Sequence, residues 1–188
     1  ATPDELAVVA EVAQEHDLIV LTDEVYEHLV FSDAASQHVP LATLPGMRER
    51  TVLISSAGKT FSTTGWKIGW VCSTPELVAA VTGVKQFLTY TNAAPLQPAV
   101  ATGLSLGRDH LSTLGPALQA KRDLLTTGLV GAGFDVLRSE ATYFLTVDIS
   151  PLGETDGLAF CRALPARAGV VAVPTQVFYD DPRAGARY

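Results

Sequence analysis

Apolar residues recur along this chain at two spacings. Near the start, Leu6, Val9, Ala10, Val12 and Ala13 share one face of a 3.6-residue period, which predicts a helix running from Thr2 to His16. Its opening, Thr2-Pro3-Asp4-Glu5, offers a capping hydroxyl, a proline suited to the first helical position, and an acid three residues after the cap. An unbroken apolar run then predicts a buried strand over 18–22, ending in Asp23-Glu24-Val25-Tyr26, with the turn carried on to residue 31. Residues 32–47 are polar and proline-containing and read as surface loop. Strands are predicted over 51–55 and 67–72, with a loop over 56–66 between them. A helix starts at Thr74-Pro75-Glu76 and carries Leu77, Val78, Val81, Val84 and Leu88 on its apolar side. Residues 89–98 read as loop, about 99–106 as helix, and about 109–131 as a long helix stopped by Gly131-Ala132-Gly133. Strands are predicted beyond it over 134–137, 143–149 and 170–173, with a helix over 155–168 and loop over 174–188. Helices alternating with strands indicate an α/β fold.

Bulk composition narrows the function classes. In 188 residues, 47% are apolar and 18% charged, enough for a substantial core and against disorder. The formal net charge is −7 with no basic block, so nucleic acid is not an expected partner. No apolar run approaches the ~20 residues of a membrane span. Asp4 and Glu5 sit where a signal peptide needs basic residues, so a cytoplasmic protein is expected. Cys72 and Cys161 are far apart and form no metal pattern, and reduced, partly buried thiols are expected. The histidines His16, His28, His38 and His110 show no ligand spacing, so they read as surface or helix-cap residues and no metal is expected.

The chemistry concentrates between the strands over 51–55 and 67–72. Ser55-Ser56-Ala57-Gly58-Lys59-Thr60-Phe61 through Gly65-Trp66-Lys67-Ile68-Gly69-Trp70 is rich in small and hydroxylated residues and holds two lysines eight residues apart. Such a loop lets backbone approach a ligand and leaves an amine able to react. The acid and phenol of Asp23 and Tyr26 end the preceding strand, and ligands of open α/β sheets sit at the carboxyl ends of strands.

Together, Asp-Glu-Val-Tyr, Ser-Ser-Ala-Gly-Lys-Thr-Phe and Gly-Trp-Lys-Ile-Gly-Trp resemble the pyridoxal-phosphate-dependent aminotransferases of fold type I, class I/II. The resemblance covers nearly the whole chain. It is strongest to the actinobacterial N-succinyldiaminopimelate aminotransferases, with the kynurenine/glutamine transaminases close behind. It implies part of the large pyridoxal-phosphate transferase domain, a mostly parallel sheet with flanking helices over 1–108, followed by a linking helix and an incomplete small C-terminal α/β domain over 109–188. Relatives are roughly twice as long, so an internal segment is expected, with little turnover in isolation.

The resemblance also assigns roles. Lys59 would hold the cofactor aldehyde covalently and move a proton at the substrate α-carbon as general base and acid. Asp23 would face the pyridine nitrogen and keep the ring an electron sink. Tyr26 would hydrogen-bond the ring's phenolic oxygen. Ser56 and Lys67 would hold the phosphate, with Ser55 a weaker candidate. Lys67 stands where many members have Arg, which keeps the charge and loses the bidentate fork. Tyr90 lies in a loop that relatives direct toward the active site of the partner in a homodimer. Tyr143 and Phe144 read as packing residues, and Glu24 receives no role. The substrate-carboxylate arginine is expected a few residues after Tyr188, so Arg187 is not assigned to it. The implied reaction is a ping-pong exchange between an amino acid and a 2-oxo acid, with N-succinyl-LL-diaminopimelate and glutamate first in line. Kynurenine or glutamine transamination, a carbon–sulfur β-lyase on the same fold, and a non-enzymatic sensor domain are the alternatives.

Overall fold

The computed structural model describes residues 1–107 and 111–188, and the chain divides into two compact units. The first comprises residues 1–117 with 140–142, and the second residues 118–139 with 143–188. The sequence positions Asp109 and His110 lie outside the described residues.

In the first unit, helix α1 (Pro3–Glu15) begins with the full capping box: the Thr2 hydroxyl accepts from Glu5 N, and the Glu5 carboxylate accepts from Thr2 N. Those bonds hold the Glu5 carboxyl below its ordinary pKa. Strand β1 (Val20–Asp23) follows, later than the apolar run alone implied, because Leu18 is taken up in the helix exit, donating its N–H to Ala13 O. Strand β2 (Thr51–Ser56) pairs in parallel with β1, Val20 beside Thr51 and Asp23 beside Ile54. Strand β3 (Gly69–Cys72) runs antiparallel to β2, Leu53 beside Cys72 and Ser56 beside Gly69. The sheet order is therefore β1-β2-β3, with β2 central and the most buried.

Two apolar clusters hold this unit. Ala10 and Ala13 of α1 pack with Leu41 and Met47, and with Leu6, Val20 and Leu44. The segment over 32–47 is thus only partly the surface loop its polarity suggested: it ends in a short 3₁₀ turn, Leu41–Thr43, and Met47 is fully buried. The Arg50 guanidinium fastens this region by donating to the Ala13, Leu18 and Gly46 carbonyls and pairing with Asp17. The second cluster joins Ala57, Ile68 and Val100 with Phe61, Trp70, Ala93 and Leu96. Helices α3 (Pro75–Leu88) and α4 (Gln97–Ser105) frame it in sequence, with a four-residue α2 (Ala57–Thr60) between β2 and β3. Helix α3 buries none of its residues, and Phe87 and Leu88 stand in the open.

Helix α5 (Leu114–Gly131) contains the division between the units. At Gly115 an added Cβ would overlap the Val30 carbonyl oxygen, so a side chain there cannot be accommodated without movement of the backbone. In the second unit the predicted strands shrink to β4 (Asp135–Val136) and β5 (Val147–Asp148), an antiparallel pair. Residues 170–173 form no strand: Val171 is 81% exposed and has no neighbouring strand among the described residues. Helix α6 (Gly157–Ala168) is capped by Asp156, whose carboxylate accepts from Leu158 N and Ala159 N, and ends at Gly169 in the left-handed region. Residues 174–188 hold two 3₁₀ turns rather than open loop. No helix among the described residues is long and apolar enough to cross a membrane.

Candidate active site

The end of β2 sets the geometry. Beyond Ser56 the ladder continues for one bond, Ala57 N to Ile68 O at 3.0 Å, and the chain then coils into α2, which carries Lys59. The Ala57 carbonyl anchors the coil, accepting from Phe61 N and from the Thr63 hydroxyl. Gly58 is needed for closeness: an added Cβ would lie 3.3 Å from Thr64 Cα and 3.5 Å from the Ser56 hydroxyl. The segment returns through a 3₁₀ turn, Thr64–Trp66, to Lys67, whose φ of +56° is left-handed. Ser62, Tyr90 and Ala93 also have positive φ. Each such residue costs on the order of 1–3 kcal/mol and persists only where its surroundings over-determine it. The Asn92 amide donates to the Lys67 carbonyl and provides part of that constraint.

These elements enclose a cleft of about 640 Å³, within the range of small-molecule sites. Its lining includes Asp23, Ser56, Lys59, Lys67 and Lys85. Four of the residues expected to act together are thus brought together: Asp23, Ser56, Lys59 and Lys67. Asp23 ends β1 beside Ile54, and its Oδ1 accepts from Val25 N, which turns the chain. Tyr26 lines a second cleft on the other side of Asp23, but its ring reaches back, 5.8 Å from centroid to Lys59 Nζ. Tyr90 lies in neither cleft and is 81% exposed. Ser55, the weaker phosphate candidate, also lines the first cleft; it is buried, and its hydroxyl donates to Glu27 Oε1 at 2.7 Å.

The donor set suits a ligand with an anionic end and a ring nitrogen. Three lysines and one carboxylate line the first cleft, together with the Ser56 hydroxyl. A phosphate is matched by cations and hydroxyls, and a protonated ring nitrogen by a carboxylate.

Two side chains given no role by sequence reasoning prove structured. Glu24 is buried and accepts from the Thr22 hydroxyl at 2.8 Å, and its other oxygen lies 2.8 Å from His38 Nε2. His38 is exposed at the surface, as expected, and partners the buried Glu24 from there. The only signal was a histidine in a segment that returns to the core at Leu41. His16 does cap α1, as expected. Both cysteines are free thiols: Cys72 is exposed, against the partial burial expected, and Cys161 is half-buried, with its pKa pushed up by burial. Arg187 pairs with Asp148 at 3.3 Å in the second unit. Asp148 is held below its ordinary pKa first by the Ser150 hydroxyl and backbone, then by Arg187.

A lysine on a tight turn and a strand-end aspartate thus line one cation-rich cleft of an α/β sheet. Residues 1–184 match the aminotransferase class I and II family, and the chain belongs to it. The family depends on pyridoxal phosphate. The chain is 51% identical over 181 residues to a probable N-succinyldiaminopimelate aminotransferase, DapC, of Mycobacterium tuberculosis, covering 96% of this chain and 45% of that protein. It is 38% identical to methionine aminotransferase of Escherichia coli, covering 89% of this chain and 43% of that protein. The solved N-succinyldiaminopimelate aminotransferase of M. tuberculosis superposes with a TM-score of 0.94 at 48% identity, over 99% of this chain and 48% of that one. The chain spans about half the length of the relatives it matches.

Proposed function

We propose that the whole protein is an aminotransferase that exchanges an amino group between N-succinyl-LL-diaminopimelate and 2-oxoglutarate, a step of lysine biosynthesis. The observation that carries this is the gathering of Asp23, Ser56, Lys59 and Lys67 in one cleft. The 51% identity to DapC supports the substrate. Bound pyridoxal phosphate supplies an aldehyde for covalent attachment and an electron sink for the substrate α-carbon.

In this reading the chain's own residues do the rest. Lys59 is the point of attachment, and its amine carries the proton to and from the α-carbon. Its seat on α2, pinned at both ends of the coil, keeps that amine close to one position. Asp23 presents a carboxylate to the ring nitrogen and keeps its proton in place. Tyr26, on the far side of Asp23, bonds the ring oxygen. Ser56 and Lys67 bind the phosphate, and the left-handed backbone at Lys67 aims the ammonium inward. Tyr90 serves the partner's site in a homodimer, in keeping with its exposure. The protein acts in the cytoplasm.

The test uses the whole protein. Borohydride reduction after loading with pyridoxal phosphate, followed by peptide mapping, places the cofactor on Lys59. Glutamate then accumulates when N-succinyldiaminopimelate and 2-oxoglutarate are supplied. Cofactor on another lysine overturns the reading of the site. Release of ammonia and pyruvate from a cysteine conjugate would identify a carbon–sulfur lyase. The similarity to methionine aminotransferase favours one second reading, a transaminase of uncharged bulky amino acids such as methionine or kynurenine.

A further inference from the structure

The second cleft holds side chains that the proposed chemistry leaves unused. Glu24 is 7% exposed, and a buried carboxylate is retained only when its oxygens are bonded. Both are: one accepts from Thr22 within β1, and the other meets His38, fourteen residues later in the loop over 32–40. Its own N–H donates to Ile54 O at 2.8 Å and extends the β1–β2 ladder one residue past Asp23. Three residues on, Glu27 accepts from the buried Ser55 hydroxyl, and Ser55 pairs with Trp70 in β3. Ser55 immediately precedes Ser56, and Ala57 after it starts the turn that carries Lys59. Atoms of Glu24, Glu27 and His38 that could hold a metal ion lie within 4.8 Å of one another, yet these hydrogen bonds already occupy an oxygen of each glutamate and the His38 nitrogen.

We propose that Glu24–His38 and Glu27–Ser55 are the two arms of a brace that sets the distance of Asp23 and Tyr26 from Lys59. The first arm fixes where the turn leaves β1, and Asp23 is one Cα away from it. The second fixes the end of the turn to β2, one residue before Ser56. Tyr26 lies between the arms. Glu24, Glu27 and His38 do not line the first cleft, and Ser55, which does, commits its hydroxyl to Glu27, so the four are positioning residues. The proposal rests on the aminotransferase reading.

The test takes the whole protein, loaded with pyridoxal phosphate, as His38→Ala and Ser55→Ala, with His38→Gln as the conservative variant. Far-ultraviolet dichroism and Tm establish that each is folded. The informative readouts are the visible dichroism of the bound cofactor, its Kd, and kcat and KM measured separately. Each alanine variant is expected to change the visible band, weaken cofactor binding about tenfold and lower kcat, with KM for the amino donor within about twofold. His38→Gln, which keeps a donor for Glu24, is expected to restore the band. Folded alanine variants with an unchanged band and Kd overturn the brace, even if Tm falls. Borohydride mapping of the unaltered protein separates the two levels. Cofactor fixed on Lys59 together with an unchanged band refutes only the brace, whereas cofactor on another lysine refutes the site reading and the brace with it.

Discussion

Two clefts meet at Asp23, and they are built differently. The first is lined by three lysines and short hydroxylated side chains, with Asp23 its one carboxylate. The second gathers Glu5, Glu24, Glu27 and Glu140, and much of its polar surface is already engaged in bonds within the chain. Cations gathered in one cleft repel one another until an anion arrives, whereas acids satisfied by hydroxyls and imidazole are stable as they stand. On the proposed reading, the difference separates a surface prepared for a ligand from one that holds the fold. Asp23 lines both; on the readings proposed above, its position is set from the second cleft and its charge is used in the first.

Substitutions on the two sides should therefore part into effects on chemistry and effects on stability. The largest is Lys59→Ala, expected to lower transamination by the whole protein by about 10⁴-fold with Tm little changed, read by steady-state kinetics beside thermal denaturation. A large loss of Tm would break the division. Asp23→Asn keeps the shape of the shared wall and removes its charge. A loss of about 3 kcal/mol, on the order of a hundredfold in kcat, is expected, with the Val25 turn intact by hydrogen exchange. On the second side, Gly115→Ala forces a methyl group against the Val30 carbonyl, and Val30 lines that cleft. It should cost about 1–3 kcal/mol of stability, measured by urea unfolding, while the remaining folded fraction keeps its cofactor Kd. Lys67→Met should weaken cofactor binding about tenfold by equilibrium titration, and Lys67→Arg less. The smallest effect belongs to Thr2→Ala, which uncouples the Glu5 carboxylate and lowers Tm by about 2 °C. Because Glu5 is held below its ordinary pKa, its contribution is present above the unfolded value near 4.3 and fades as pH falls through the folded value. Thr2→Ala should flatten that acid dependence.

The first cleft was legible in the sequence because its chemistry is nearly contiguous. Ser56, Lys59 and Lys67 sit within one loop between two strand-like runs, and Asp23 ends the strand before it. The second was hidden because its bonds join residues with no shared period: Glu24 to His38, and Glu27 to Ser55. Loop polarity over 32–47 also masked the burial of Leu41 and Met47, since a few apolar residues in an irregular segment carry no periodic signal. In the second unit the runs over 143–149 and 170–173 have strand-like composition, but strands need partners, and only Val147–Asp148 found one. Strand propensity reflects fit to a half-buried pleated surface more than an intrinsic backbone preference.

The pairing of Ser56 with Gly69 has a consequence for how this protein can change over generations. The twelve residues between them begin and end on a fixed rung of the sheet, with Ala57 bonded back to Ile68 and an added Cβ at Gly69 falling 2.9 Å from the Ser55 carbonyl. A gained or lost residue must be taken up inside the turn, since slipping the register by one would turn every side chain of the strand to the opposite face of the sheet. On the proposed reading, specificity can drift by exchange of side chains on this loop while the two rungs hold its ends in place.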